Sequence, residues 1–342
     1  MLLEDTWLSM PIKTEYLLFC DASRELLASI QASGAISLSA MPPISITRPT
    51  VTGGSFLETM FNASQVNAIL DAVRRCAALS YSYDPTTATA QERVMDTLIH
   101  AHVAFQLVKP TRWFGKYWFR TDDAGHIESM SNSLGMIHLD NPLPYLWYQQ
   151  HNTISPEDVE LVRRILPRLL HAFSPAIGSG SWTHPSGSVH RALVLFAQGY
   201  LTEMFGELRQ FLWAMGLDCL FSSKIDKRKR GAQTIDQRLR MLLGAEFAPY
   251  KDVLMPGHQT RPEHKLWSIA RDVFALRNAV AHGLVIPDAW LTPPGRHPYE
   301  GYAYQLAECT EILLRRTLLM ILNDQRMFDI FVDSRKLDRY FG

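Results

Sequence analysis

An arginine, an amide and an imidazole are grouped near the C-terminus, in the run Arg277-Asn278-Ala279-Val280-Ala281-His282. The guanidinium of an arginine binds phosphate oxygens in a fork geometry. An imidazole accepts and donates protons near neutral pH. These groups together suit phosphodiester chemistry, and we take Arg277, Asn278 and His282 as the candidate catalytic residues.

Helical spacing decides how these three side chains can act together. Asn278 and His282 are four residues apart, so they share one face of a helix, and Arg277 can reach the same helix end with its long side chain. His282 falls in the last predicted turn, where free carbonyl groups favour a protonated imidazole. Gly283 is the residue type that commonly ends a helix. A protonated imidazole at this position is suited to donate a proton to a leaving oxygen.

RNA supplies its own nucleophile, the 2′-hydroxyl group. A protein that cleaves it must deprotonate this hydroxyl, stabilise the charged transition state and protonate the departing 5′ oxygen. A single histidine does not easily serve as base and acid in the same step. Two copies of the motif facing each other across a two-fold axis would supply two histidines and two arginines, so this chemistry predicts a homodimer. The alternative is that Arg277 forms a surface ion pair and His282 only caps the helix.

The composition of the 342-residue chain is that of a globular protein. Lys+Arg and Asp+Glu both total 34, so a nucleic-acid site must be a local basic patch. The 4 cysteines are scattered without a CxxC pair, which supports neither a zinc site nor a disulfide framework. We therefore expect no metal and no cofactor. The start of the chain lacks a signal-peptide pattern, and no apolar run is long enough to span a bilayer. We expect a cytoplasmic protein with no membrane partner.

The length of the chain predicts two domains. The first, residues 1–188, is predicted to be a mixed α+β domain. Short apolar runs at 15–20 and 35–39 predict strands, and residues 42–54 have the composition of a loop.

Periodicity predicts further elements in the same domain. Apolar residues at helical spacing predict helices over 64–79 and 90–107. Residues 113–140 are predicted to form a small antiparallel sheet with a hairpin turn at 123–125. A third helix is predicted to begin at Ser155-Pro156, and the proline at position 167 is expected to kink or end it.

The second domain, residues 189–342, is predicted to be an all-α bundle of about four helices. A stretch rich in Pro, Gly and Ser at 174–188 is the best candidate for the linker that precedes it. The predicted helices span 189–221, 234–243, 263–282 and 304–323.

The run from Phe274 to Gly283 resembles the signature of the HEPN superfamily, in which a small helical bundle carries an arginine, often a polar residue beside it, and a histidine shortly after. Residues 216–221 resemble the end of the long helix in Apea-type members of this superfamily. Residues 236–244 resemble their next short helix, and the order of the elements is similar. The resemblance covers about residues 189–325.

The resemblance implies that the C-terminal domain is a HEPN-like four-helix bundle. It implies a metal-independent endoribonuclease that dimerises through this domain, often as a toxin or antiviral-defence effector. Arg277 and His282 would carry catalysis, and Asn278 would be the polar residue beside the arginine. Some members are catalytically inactive and serve in nucleotide binding, partner binding or dimerisation, and this alternative stays open.

The resemblance also bears on regulation. In some members a tyrosine two residues after the histidine is modified, but that position here is Leu284, so this form of regulation is not supported. Residues 1–188 resemble no family. They are candidates for a sensor, for substrate recognition or for restraint of the nuclease, and a regulatory partner is left open.

The strongest basic run in the chain contains Lys224, Lys227, Arg228, Lys229 and Arg230. It lies in the predicted loop between the long and the short helix of the bundle. We predict that these side chains bind RNA phosphates, with an affinity that falls as salt rises. The alternative is a solvated loop without a ligand.

Two further features are candidates for supporting roles. Asp218 is predicted to orient Arg277 through a charge-assisted hydrogen bond, and the alternative is a structural acid at a helix end. The aromatic stretch at 113–119 is a candidate for stacking RNA bases, and the alternative is a strand that packs in the core.

Overall fold

The computed structural model describes twelve segments of the chain. They are residues 12–19, 22–40, 42–53, 55–85, 90–109, 118–131, 153–173, 187–201, 206–222, 231–247, 266–286 and 302–342. Contacts group the chain into two compact units, one containing a sheet and one that is mainly helical. An α+β part followed by an all-α bundle is the predicted fold class, and it is confirmed. The predicted boundary at 188/189 follows residues 174–186, which lie outside the described segments, and it stays a prediction.

The first unit contains a six-stranded antiparallel sheet with the order β2-β3-β4-β1-β5-β6. Its strands are β1 (Lys13–Phe19), β2 (Ala35–Ser39), β3 (Ile44–Thr47), β4 (Ala77–Tyr83), β5 (Trp118–Thr121) and β6 (Ile127–Ser131). β1 lies between β4 and β5, and Leu17 stands opposite both Leu79 and Trp118. The predicted turn at 123–125 joins β5 to β6, where Gly125 adopts a φ of 80° that suits glycine.

Five helices are described before the all-helical bundle. They are α1 (Arg24–Ser33), α2 (Ser55–Met60), α3 (Ala63–Arg75), α4 (Ala90–Val108) and α5 (Pro156–Phe173). The predicted start of α5 is confirmed, because the Asp158 N–H donates to Ser155 Oγ at 3.4 Å and the Ser155 N–H donates to the Asp158 carboxylate at 2.9 Å. This helix continues through Pro167.

One hydrophobic core of the first unit is shared between strands and helices. Leu18 and Ala78 from adjacent strands belong to the same buried cluster as Leu57 of α2 and Leu70 of α3. Alternation of side chains along a strand places the apolar set on one face, where α2 and α3 can cover it. The same buried cluster includes residues of β4, β1, β5 and β6, so α2 and α3 pack on these four strands.

Two predictions in this unit are wrong. Residues 42–54 were expected to be loop but contain β3, and the helix expected over 64–79 ends at Arg75 and is followed by β4. The apolar residue at position 77 fits a continued helical stripe equally well. β4 forms because β1 and β3 flank it on both sides and satisfy its backbone groups. The strand suggested at 136–139 lies outside the described residues.

The second unit contains the C-terminal parts of α4 and α5, from Gln106 and Pro167 onward, and the remaining helices. These remaining helices are α6 (Gly187–Leu201), α7 (Gly206–Phe221), α8 (Gly231–Leu243), α9 (Leu266–His282), α10 (Tyr302–Asn323), α11 (Gln325–Phe331) and α12 (Ser334–Phe341). The single long helix predicted over 189–221 is wrong, because α6 and α7 are separate helices packed on each other. α7 also packs against α9 and α10, so it lies at the centre of the bundle. No helix in the described segments is long and apolar enough to cross a membrane.

Small residues let the central helices approach closely. A Cβ atom at Gly199 would lie 2.2 Å from Nε1 of Trp213, and one at Gly216 would lie 2.7 Å from Cδ2 of Leu314. Trp213 Nε1 donates to the Phe196 carbonyl oxygen at 3.2 Å, which satisfies the buried indole. The α6–α7 and α7–α10 contacts therefore depend on glycine.

Candidate functional site

The C-terminal end of α9 carries the candidate residues at the protein surface. The helix buries Val273, Phe274 and Leu276 against the rest of the bundle. Asn278 and His282 are exposed, and they share one face, as their spacing predicts. One side of the helix is thus fixed by packing while the other presents polar groups to solvent.

The end of α9 is closed by a Schellman motif. Gly283 adopts a φ of 60°, its N–H donates to the Val280 carbonyl at 3.5 Å, and the Leu284 N–H donates to the Ala279 carbonyl at 2.9 Å. The predicted role of Gly283 as the helix terminator is confirmed. Because the chain turns away at this point, His282 is the last residue of the helix.

Arg277 is held by three acceptors. Its Nη2 donates to Asp218 Oδ2 at 3.0 Å and approaches Met215 Sδ at 3.1 Å, and its Nη1 donates to Asn278 Oδ1 at 2.8 Å. The side chains of Arg277 and Asp218 are 23% and 28% exposed, so the ion pair is partly shielded from water. The guanidinium is thus oriented at the edge of the bundle, and the predicted contact between Asp218 and Arg277 is confirmed.

Asp218 is itself fixed at the end of α7. Ser222 Oγ donates to Asp218 Oδ1, and the Ser222 N–H donates to the Asp218 carbonyl oxygen at 2.9 Å. One carboxylate oxygen therefore bonds within α7 while the other reaches Arg277 on α9. This arrangement leaves the carboxylate little freedom to rotate away from the guanidinium.

Gln210 is a second contact from α7 to α9 that the sequence did not reveal. Its side chain is fully buried, and Nε2 donates to the Val273 carbonyl oxygen at 2.8 Å. In an α-helix the same carbonyl accepts from the N–H of residue 277. Gln210 therefore fixes the backbone turn that carries Arg277, while Asp218 fixes its side chain. The sequence offers no clear signal for this role, because Gln210 is one of several polar residues in α7 and follows directly after Arg209.

His282 is the unpaired member of the site. Its side chain is exposed and makes no hydrogen bond or ion pair with any described residue. An imidazole in this position has both nitrogens accessible to a ligand arriving from solvent.

The remaining predicted binding residues are not brought to this site by described contacts. Residues 223–230, which include Lys224, Lys227, Arg228, Lys229 and Arg230, lie outside the described segments. Of the aromatic stretch, Trp118 and Phe119 are described. Phe119 is fully buried and stacks on Tyr16 at a centroid distance of 4.9 Å, so this ring belongs to the core and is not available to an RNA base.

A separate polar cluster is buried in the sheet of the first unit. Tyr83 donates to Glu15 Oε1 at 2.8 Å, and Arg120 Nε donates to the same oxygen at 2.6 Å. Burial raises the pKa of Glu15 above its usual value, and burial beside this carboxyl raises the pKa of Tyr83 to about 12. These groups join β1 to its neighbours β4 and β5, and no local pattern predicts them.

Comparisons with protein-family models, with curated proteins and with solved structures find no match for this chain. The resemblance to the HEPN superfamily therefore stays a prediction. In the described segments, no group of three or more His, Cys, Asp or Glu side chains converges in a way that could hold a metal ion. The strongest indication of function is the guanidinium of Arg277, which Asp218 orients, on the same helix as the exposed imidazole of His282.

Proposed function

We propose that this chain is a metal-independent endoribonuclease that acts as a homodimer in the cytoplasm, as a toxin or an antiviral-defence effector. One observation carries the proposal. Asp218 orients the guanidinium of Arg277 at 3.0 Å, and the exposed imidazole of His282 follows on the same helix end. An oriented cation and a free proton-transfer group on one helix are two of the groups that RNA transesterification uses.

The reaction proceeds by attack of the 2′-oxygen on the adjacent phosphorus. A neutral His282 imidazole removes the proton from the 2′-hydroxyl, and Arg277 stabilises the negative charge that builds on the phosphoryl oxygens. The partner's His282, in its protonated form, gives a proton to the 5′ oxygen as the P–O bond breaks. The products are a 2′,3′-cyclic phosphate and a free 5′-hydroxyl. DNA resists this reaction because it lacks the internal nucleophile.

A second function is favoured by the way Arg277 is engaged. Both of its terminal nitrogens already have acceptors within the bundle, and its buried Nε has no partner among the described residues. A phosphate must therefore share or displace these contacts. The alternative is a catalytically inactive HEPN module that binds a nucleotide or a partner protein. It predicts no cleavage, and a ligand affinity that tolerates the loss of His282.

The experiment is cleavage of single-stranded RNA by the full-length protein in the presence of a chelator. We expect 2′,3′-cyclic phosphate ends on RNA and intact DNA of the same sequence. His282→Ala and Arg277→Ala should each abolish cleavage while the protein stays folded and dimeric. His126→Ala, which changes an exposed histidine of the sheet, should cleave like the wild type.

Some outcomes would overturn the proposal. Cleavage that requires a divalent metal, or that survives both substitutions, would exclude Arg277 and His282 as the catalytic pair. Absence of cleavage together with nucleotide binding that tolerates His282→Ala would favour the inactive module. A protein that is monomeric by light scattering yet cleaves RNA would exclude the shared site.

A further inference from the structure

The last two helices border an open groove on the second unit. The groove between α11 and α12 has a volume of about 730 Å³. Its wall includes Arg326, Lys336, Arg339 and Tyr340. Among the described lining residues, Asp329 is the one carboxylate. The three cations on the described wall therefore give it a local excess of positive charge, although the chain as a whole has no net charge.

The acidic residues of this segment, including Asp329 on the groove wall, have partners of their own. Asp324 and Asp333 cap the N-termini of α11 and α12, and the backbone hydrogen bonds at this cap lower the pKa of Asp333. Asp338 pairs with Arg238 at 3.6 Å, and Asp329 accepts from Gln325 at 2.8 Å. These carboxylates are thus held by caps and neighbouring side chains.

The basic residues of the groove have no such partners. Among the described residues, Arg326, Lys336 and Arg339 make no ion pair with any carboxylate, and all three are exposed. The charge of Lys336 also acts on the capping carboxylate of Asp333 and contributes to the lowered pKa of that group. All three cations nevertheless remain exposed, so they can attract a polyanion.

An aromatic ring stands beside these cations. Tyr340 is 38% exposed, and its ring packs against Phe341 in a T-shaped arrangement at 4.8 Å, which fixes its orientation. Ile330 is buried at the base of the groove. Proteins that bind single-stranded nucleic acids combine a positive groove with aromatic rings on which bases stack. This combination favours a single-stranded nucleic acid over a simple anion.

The groove is anchored to the same end of α7 that holds Arg277. The ring of Phe221, the last residue of α7, packs against Phe341 at 6.0 Å and against Phe331 at 5.7 Å. Asp218 lies three residues earlier on that helix, which is less than one turn. Arg238 strengthens this junction by donating to the Phe221 carbonyl oxygen. α11 and α12 thus pack on the end of α7 that carries Asp218.

We propose that the α11–α12 groove binds the single-stranded RNA substrate. Arg326, Lys336 and Arg339 contact successive phosphates, and Tyr340 stacks on a base. The choice of RNA over DNA rests on the proposed nuclease function, whereas the binding of a single strand rests on the groove itself. The residues of this groove are different from those of the basic run at 224–230, which lies outside the described segments.

The test measures the affinity of a labelled single-stranded oligoribonucleotide for the full-length His282→Ala protein, which leaves the RNA uncut. Lys336→Glu combined with Arg339→Glu should weaken binding at least about tenfold. Loss of two phosphate contacts should also reduce the slope of log K against log salt by about 1.4. Arg335→Glu is the matched control, because Arg335 is an exposed cation of α12 that does not line the groove. This control should bind RNA about as tightly as the parent protein.

The stacking contact has its own variants. Tyr340→Ala should weaken RNA binding about tenfold, whereas Tyr340→Phe should keep it, because both aromatic rings offer a π face. Thermal unfolding of each variant establishes that the fold is intact. Tyr340→Ala binding like Tyr340→Phe would remove the stacking role.

Two results would overturn the groove as an RNA site. One is equal binding by the Lys336→Glu/Arg339→Glu variant and the Arg335→Glu control. The other is groove-dependent binding to vesicles of anionic lipid with no groove-dependent binding to RNA. Cleavage is measured separately with intact His282. If RNA is cut but the groove variants bind normally, the groove proposal fails alone. If the groove variants lose RNA binding and no RNA is ever cut, the nuclease proposal fails alone.

Discussion

The carboxylate of Asp218 accepts a hydrogen bond at 3.0 Å from the guanidinium of Arg277, although 59 positions separate the two residues in the sequence. The contact joins the end of α7 to the exposed end of α9. Both side chains remain in partial contact with solvent, which screens the ion pair and limits its contribution to stability. Its main effect is therefore to orient the guanidinium.

Replacing Asp218 with asparagine tests whether the ion pair orients Arg277 more than it stabilises the folded protein. The shape of the side chain is kept, but its charge is lost, so Arg277 is held less firmly. We expect RNA cleavage to fall about tenfold, while the free energy of unfolding falls by about 1 kcal/mol or less. Rate measurements and urea unfolding test this. Asp272→Asn removes an acid of α9 that pairs with Arg271 instead, and it should leave cleavage unchanged. A cleavage rate equal to that of the wild type would show that the pair is not needed.

Gly283 is predicted to fix the position of His282. Gly283→Ala places a Cβ atom at a φ of 60°, which costs about 1 kcal/mol even though no atom lies within 4 Å. We expect lower stability in urea and lower activity, because the last turn of α9 would fray around the imidazole. Gly283→Asn should be milder, since asparagine tolerates this conformation. Equal stability of the alanine and asparagine variants would argue against the strained helix end.

The packing of α6 on α7 is predicted to be intolerant of a methyl group. Gly199→Ala would place its Cβ 2.2 Å from Nε1 of Trp213, so the helices must separate. We expect a loss of about 3 kcal/mol in the free energy of unfolding. Gly187→Ala, on the same helix, meets no atom within 4 Å and should change stability by less than about 0.5 kcal/mol. Similar stabilities of the two variants would contradict the close approach.

Glu308 is predicted to make stability depend on pH. Burial raises the pKa of Glu308 well above its usual value, and the nearby Glu311 adds to this. The folded state therefore keeps a proton that the unfolded chain releases above about pH 4.3. The associated stability is complete below that pH and is lost as pH rises through the folded-state pKa.

The measurement is urea unfolding of the wild type and of Glu308→Gln from pH 4.5 to pH 8. The advantage of the variant over the wild type should grow with pH, because glutamine has no proton to release. Glu246→Gln changes an exposed carboxyl of the same unit and should follow the wild type. Parallel curves for Glu308→Gln and the wild type would mean that Glu308 ionises normally.

If the site is shared by two protomers, one inactive protomer should abolish the activity of the whole dimer. If both copies of His282 are needed for one reaction, a dimer with one His282→Ala protomer is inactive. An equal mixture that has exchanged subunits should then retain about a quarter of the wild-type activity instead of about a half. The mixture is assayed against one containing Arg335→Ala as the second protein. Activity proportional to the wild-type fraction would show that each protomer works alone.

The pattern of the sequence predicted the elements that follow local rules. Asn278 and His282 share a face because of their spacing, and Gly283 ends the helix because it alone adopts a positive φ without cost. The α5 start was likewise readable from Ser155 and the proline after it. In each case the decisive interactions lie within a few residues of one another.

The features that were missed depend on partners distant in sequence. β4 becomes a strand because β1 and β3 pair with it, although its alanine and serine residues favour no strand by themselves. The break between α6 and α7 was hidden because apolar residues dominate the stretch from 189 to 221 on both sides of it. Gln210 could not be assigned a role, because its acceptor is a backbone carbonyl 63 positions away.

The abrupt end of α9 makes the candidate site sensitive to helical phase. One residue inserted between Asn278 and His282 would rotate the imidazole by about 100° around the helix axis, away from the amide. The same insertion after Gly283 would leave both side chains where they are, because the chain has already left the helix. An insertion before Gly283 therefore displaces the imidazole, whereas an insertion after it leaves this surface unchanged.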